Sequence, residues 1–160
     1  EASSHLVDVL GQGRACLIFL FDPMLSRTPS GFVSQMLLSS IVHFRLGLPT
    51  ANFLSKTDLL EPEELETILE WGDNLDILEV ALYEESERQA NDAKSGSQRA
   101  EFAIGQLRMM QNAAIQPGLI PLSSEIEDGL ADVLTFAQSM FGGMGDTRDG
   151  YAGDIEDERL

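Results

Sequence analysis

Three short apolar runs punctuate this chain, and between them apolar residues recur at helical spacing. Residues 15–21 (ACLIFLF) form a continuous apolar run, as a strand covered on both faces requires. Residues 51–54 supply a second strand. Residues 118–122 (GLIPL) supply a third, and Pro121, which has no N–H to give to a ladder, marks its end. Residues 30–46 follow Thr28-Pro29 and carry Phe32, Val33, Met36, Leu37, Ser40, Ile41 and Phe44 at helical spacing, with Gly47 as the stop. Residues 62–71 form a second helix, whose first-turn glutamates suit the positive end of the helix dipole. Residues 126–141 carry Leu130, Val133, Leu134 and Ala137 on one face. Residues 1–10 read as a further helix, with Leu6, Val9 and Leu10 on one side and Gly11 closing it. Strand–helix–strand alternation predicts an α/β fold: a doubly wound parallel sheet with right-handed crossovers.

Two segments depart from that rhythm. Residues 74–114 are polar and helix-prone, broken at Ser95-Gly96-Ser97, and read as two helices inserted between the second and third strands. Leu107, Met109 and Met110 are expected to be packing residues there. Residues 142–160 hold three early glycines and then a mixture of Asp, Glu and Arg, and predict an acidic, mobile tail after a domain spanning 1–141. There is no internal repeat.

Composition narrows the classes. A length of 160 residues with 43% hydrophobic content suits one domain with a real core. No apolar stretch is long enough to cross a membrane or resembles a signal peptide. The single cysteine, Cys16, excludes an internal disulfide and a clustered-cysteine metal site; within its apolar run a buried packing role is expected, in a reducing, cytoplasmic setting. Ten basic residues against 27 acidic ones give a net charge of −17, which argues against direct binding to nucleic acid or to an anionic membrane. Lysine is nearly absent, with arginine carrying most of the positive charge. High acidity with scarce lysine resembles proteins of salt-loving microbes, where salt screens self-repulsion; an ordinary acidic protein with an acidic tail is the alternative. The chain does not begin with methionine, and a helix with no element before it suggests a fragment.

One of only two lysines, Lys56, lies in Ser55-Lys56-Thr57-Asp58, just past the second strand. In an open parallel sheet, ligands bind beyond the carboxyl ends of the strands. Here those ends carry Asp22, then Ser55 to Asp58, then Ser123-Ser124-Glu125. The Asp58 carboxylate can accept two parallel hydrogen bonds from a base edge with adjacent N–H groups, and guanine has such an edge. The Lys56 stem can lie across the ring while its charge stays near water. Asp22 could ligate magnesium or accept a phosphoryl group, or simply end its strand before Pro23. His5 and His43 have no metal-ligating partner at i+4, so surface or packing roles are expected. Trp71 is expected to end its helix and pack against the insertion, and the acidic runs 61–66 and 84–87 to be solvated helix faces.

The Ser55-Lys56-Thr57-Asp58 run resembles the guanine-reading motif of P-loop GTPases, usually Asn-Lys-x-Asp, and Leu122-Ser123-Ser124 sits where that family has its second guanine loop. The resemblance sharpens along Asp22-Pro23, Phe32-Val33-Ser34-Gln35-Met36-Leu37, Arg45-Leu46-Gly47-Leu48-Pro49 and Ser55-Lys56-Thr57-Asp58-Leu59-Leu60. Over residues 2–141 the chain is similar to the GPN-loop GTPases, a branch found in archaea and eukaryotes, in which a helical insertion precedes the last strand. The resemblance implies a GTP-hydrolysing homodimer using GTP/GDP and Mg2+. It implies that Asp58 takes the guanine N–H groups, Lys56 covers the ring, and Ser55, Ser123 and Ser124 complete the base site. It also implies an assembly or chaperone-like role, since eukaryotic members are linked to RNA polymerase assembly.

Departures from the family pattern refine these expectations. Ser55 stands where asparagine is usual, so a shorter hydroxyl must brace the loop. Glu125 stands where lysine is common. No Gly-x4-Gly-Lys-Ser/Thr and no Gly-Pro-Asn occurs, and these would hold the phosphates, the magnesium ion and the attacking water. In the family, residue 1 falls just after the Asp-x-x-Gly segment, so the chain reads as the carboxyl-terminal, base-reading portion of a GTPase, with no catalytic residue of its own and no expected GTP turnover. The competing reading is a non-catalytic interaction or dimerisation protein derived from a truncated GTPase, using the helix pair and an exposed sheet edge.

Overall fold

The computed structural model describes residues 9, 15–92, 96–113, 115 and 117–141. The helix expected over 1–10 (Val9 apart) and the tail expected over 142–160 lie outside the described residues. Three parallel strands form the sheet in the order β1 (Leu17–Phe21), β2 (Thr50–Leu54), β3 (Leu119–Pro121). Leu17 pairs with Thr50 and Phe21 with Leu54; Asn52 pairs with Leu119 and Leu54 with Pro121. All three predicted strands are present. Their helical crossovers make the parallel arrangement possible, since parallel neighbours cannot be joined by a tight turn.

A single helical turn, α1 (Pro23–Ser26), follows β1, and the longer α2 (Pro29–Leu46) leads to β2. Thr28 caps α2 by accepting the Gly31 N–H, and Pro29 occupies the first turn, where its missing N–H costs nothing. Gly47, at φ 62°, ends α2 in the left-handed conformation that favours glycine. Between β2 and β3 lie α3 (Pro62–Asp73), α4 (Leu75–Asp92) and α5 (Gly96–Asn112). The last two are the expected inserted pair, and they pack along each other. After β3 comes α6 (Leu130–Phe141). It starts four residues later than the sequence predicts, because Glu127 (φ 56°) and Gly129 (φ 71°) take left-handed backbone that no helix accommodates.

The core lies on one face of the sheet. Phe21, Leu54 and Leu119 meet Phe32, Val33 and Met36 of α2, Ile68 and Trp71 of α3, Leu78 and Leu82 of α4, and Leu107 and Met110 of α5. The rings of Phe21 and Phe32 lie 5.5 Å apart, and Trp71 meets Phe32 edge-on at 5.9 Å. Trp71 therefore packs on α2 as well as beside the insertion, two residues before its helix ends. On the other face Phe53 is fully buried while Leu20 is 54% exposed.

The apolar pattern overstates burial at several positions. Ile41 and Phe44 of α2 are exposed, although they share the predicted apolar face. A helix of 18 residues is about 27 Å long and a five-residue strand about 17 Å, so the end of α2 overhangs the sheet. Met109 also points outward at 57% exposure, one position from buried Met110. Cys16 is half-buried rather than buried.

Candidate functional site

The polar residues at the strand ends meet, and the contacts between them start from the backbone. Leu122 N–H donates to Leu54 O at 2.8 Å, extending the β2–β3 ladder past the strands, and Thr57 N–H donates to Leu122 O at 3.3 Å. On the other side Ser55 N–H donates to Phe21 O at 3.0 Å, and its hydroxyl donates to the same oxygen at 2.8 Å. The loop after β2 is thus bound to both neighbouring strands. The Ser55 hydroxyl braces it against β1, the role expected of a shorter replacement for asparagine.

Lys56 turns the chain. At φ 51° and ψ 45° it adopts the left-handed conformation, and a short 3-10 turn, Thr57–Leu59, begins after it. A left-handed non-glycine residue costs about 1 kcal/mol or more, so its surroundings must hold it there. The turn closes through Leu59 N–H to Lys56 O (3.0 Å) and Leu60 N–H to Thr57 O (3.1 Å). This geometry leaves Lys56 and Asp58 exposed and tucks Thr57 beneath the loop at 5% exposure, where its hydroxyl has no hydrogen-bond partner.

Asp58 reaches across to the β3 loop. Its Oδ1 accepts the hydroxyl of Ser123 at 2.5 Å, and Ser123 is fully buried. The same hydroxyl oxygen accepts Glu125 N–H at 3.3 Å, while Ser123 N–H donates to Asp128 O at 3.0 Å and closes the loop as an isolated bridge. Gly129 is required beneath it: a Cβ there would lie 2.1 Å from Pro121 O. Ser124 is exposed. Of the five predicted site residues, Asp58 and Ser123 are in contact, Ser55 serves as a brace, and Lys56 and Ser124 sit on the exposed rim.

Sequence reasoning missed the supports behind these residues. The Asp22 carboxylate caps α1 by accepting Met24 N–H (2.8 Å) and Leu25 N–H (3.2 Å). The amide of buried Gln35 fixes the end of β1, accepting Asp22 N–H at 2.6 Å and donating to Ser26 Oγ at 2.9 Å. Arg27 donates to Leu59 O at 3.3 Å and to Glu64 at 3.0 Å, tying α1 to the turn that carries Asp58. The acidic run at α3 is partly structural too, since Glu64 accepts Glu61 N–H at 3.1 Å. In the second acidic run, Glu85 accepts both the N–H (2.9 Å) and the hydroxyl (2.8 Å) of Ser30, anchoring α4 on the start of α2. Nothing in the spacing of these residues signals such contacts, which depend on the packing of distant elements.

Chemically, the site offers an exposed carboxylate with one oxygen oriented by a buried hydroxyl and the other, among the described residues, free to accept. Among the described residues there is no cluster of three or more His, Cys, Asp or Glu that could hold a metal ion. Nor is any helix among them long and apolar enough to cross a membrane.

No curated protein sequence matches the chain significantly. Among solved structures it is similar to the apo form of a GTPase from Pyrococcus abyssi, with a TM-score of 0.68 and 22% identity over 88% of this chain. The match spans 52% of that chain, about half its length, and it shows a shared GTPase-type fold. The sequence model of the family described as conserved hypothetical ATP binding protein matches residues 1–143, nearly the whole chain, and the protein belongs to that nucleotide-binding family.

Proposed function

We propose that this chain carries the base-reading part of a guanine-nucleotide site in a GTPase of the GPN-loop type. The observation that supports it best is the bond from Ser123 to Asp58, which ties the two strand-end loops together and leaves Asp58 Oδ2 unengaged among the described residues. In this reading the carboxylate accepts N1–H and one N2–H of guanine. Adenine presents a lone pair at N1 instead of a donor, so the same carboxylate repels it. Discrimination built on a paired polar edge is strong, because the wrong ligand leaves a polar group unpaired. Ser124 N–H, unengaged among the described residues, is the donor we assign to the guanine carbonyl, and the Lys56 stem covers the ring. The family is described by ATP; the base preference proposed here rests on Asp58.

These 160 residues contain no glycine-rich phosphate loop, so no phosphoryl-transfer step is assigned to any of them. GTP hydrolysis, magnesium binding and the homodimer are proposed for the protein in which a phosphate loop completes this site. Competitive binding of GDP and ADP to the chain tests the base assignment. GDP is expected to bind at least about tenfold more tightly, and equal affinity would contradict it.

A second reading, a non-catalytic interaction protein, is favoured by β1. It is one of the two outer strands among the described residues, and its Ile18 and Leu20 are 36% and 54% exposed. An uncovered parallel edge with apolar side chains promotes pairing with another chain. Sedimentation separates the readings: a monomer at high concentration that still selects GDP supports the nucleotide site alone.

A further inference from the structure

A cleft of about 500 Å³ opens at the end of the sheet opposite Asp58, where α2 runs into β2, and Phe136 of α6 forms part of its wall. Its polar lining is Ser39, Ser40, His43, Thr50 and Asn52. The direction of each hydrogen bond there can be fixed. Asn52 Nδ2 donates to Pro117 O, which can only accept, so Asn52 Oδ1 faces Ser39, whose hydroxyl donates to it at 2.6 Å. Ser40 donates to Met36 O at 2.9 Å, and Thr50 donates to Leu48 O at 2.9 Å. With its proton spent, Thr50 Oγ1 accepts from His43 Nδ1 at 2.8 Å, which also lies 3.1 Å from Leu48 O. Nδ1 therefore carries hydrogen, and in the uncharged ring Nε2 carries the lone pair.

Each of these three hydroxyl protons, and the Nδ1 proton, is committed to the protein. What remains for a ligand is a row of acceptors, with the second Asn52 amide proton as the exception. Phe44 and Phe136 also line the cleft, and Phe44 is 70% exposed. Among the described residues no lysine or arginine lines it, and the chain carries a net charge of −17. A flat cation rich in donors matches acceptors, aromatic faces and overall charge together. We propose that this cleft binds a guanidinium group, supplied either by a small arginine-like molecule or by an arginine side chain of a partner segment.

The test is an NMR titration of the whole chain with N-acetyl-arginine amide, N-acetyl-lysine amide and the peptide Gly-Gly-Arg-Gly-Gly at low salt. Saturable shifts at the Thr50, Ala51 and Asn52 amides are expected, at least about threefold tighter for arginine than for lysine. Phe44→Ala, at an exposed position that the fold does not need, is expected to weaken binding about three- to fivefold. Tighter binding of the peptide identifies a partner segment, and tighter or equal binding of free N-acetyl-arginine amide identifies a small ligand. Absent shifts, equal affinity for arginine and lysine, or an unchanged Phe44→Ala variant would overturn the proposal.

Discussion

Ser123 and Asp58, 65 residues apart, share a hydrogen bond of 2.5 Å between a fully buried hydroxyl and an exposed carboxylate. The buried partner fixes the exposed one. Removing it with Ser123→Ala frees the carboxylate to rotate into water and strands Glu125 N–H. The expected result is a loss of about 1 kcal/mol of stability and a drop of about three- to tenfold in guanine-nucleotide affinity. Denaturant unfolding and calorimetric titration check both. Unchanged affinity would mean that the bond does not aim Asp58 at a ligand.

Lys56 separates conformation from chemistry. Its φ of 51° suits glycine, so Lys56→Gly relieves about 1 kcal/mol of backbone strain and gives up a similar amount in chain entropy. Stability is expected to stay within about 0.5 kcal/mol of the parent, while affinity for a guanine nucleotide falls about two- to fivefold as the ring loses its cover. A parallel loss of stability and affinity would assign Lys56 a structural role instead.

Thr57 carries a buried hydroxyl without a partner. Thr57→Val keeps the shape and removes the unsatisfied group, so unfolding should show neutral or improved stability, by up to about 1 kcal/mol. Destabilisation of more than about 1 kcal/mol would reveal a hydrogen bond that the hydroxyl makes in solution.

The charge balance makes its own prediction. Among the described residues the salt bridges are Arg27–Glu64, Arg88–Glu84 and Arg108–Glu79, all at least partly exposed, against 27 acidic residues in the sequence. Self-repulsion that salt screens should make the fold more stable in molar KCl than in dilute buffer. Unfolding at the two salt concentrations checks it, and equal stability would contradict the reading of a salt-adapted protein.

How much of this was legible beforehand follows from the kind of signal each feature leaves. The strands were legible because continuous apolar runs such as residues 15–21 have few alternative uses. The convergence of Asp58 and Ser123 was legible because both follow strands of one parallel sheet. The start of α6 was not, since the apolar period continues through Ile126 while Glu127 and Gly129 adopt left-handed backbone. Burial at Phe44 and Met109 was misjudged because periodicity identifies a face but not how far a neighbouring layer extends. The bracing of Ser55 on Phe21 and the burial of Thr57 depend on the turn at Lys56, and no spacing rule reports a left-handed lysine.

Asp58 carries the central claim, and one substitution tests it most directly. Asp58→Asn replaces an acceptor pair with one acceptor and one donor. Guanine then meets a donor facing its own amino group, whereas xanthine, with a carbonyl at that position, meets a matching partner. Calorimetric titration of the parent and Asp58→Asn with GDP and xanthosine diphosphate reads the change. A fall of roughly ten- to hundredfold in GDP affinity, with xanthosine diphosphate now preferred, is the predicted result. Equal GDP affinity of parent and variant would contradict the account.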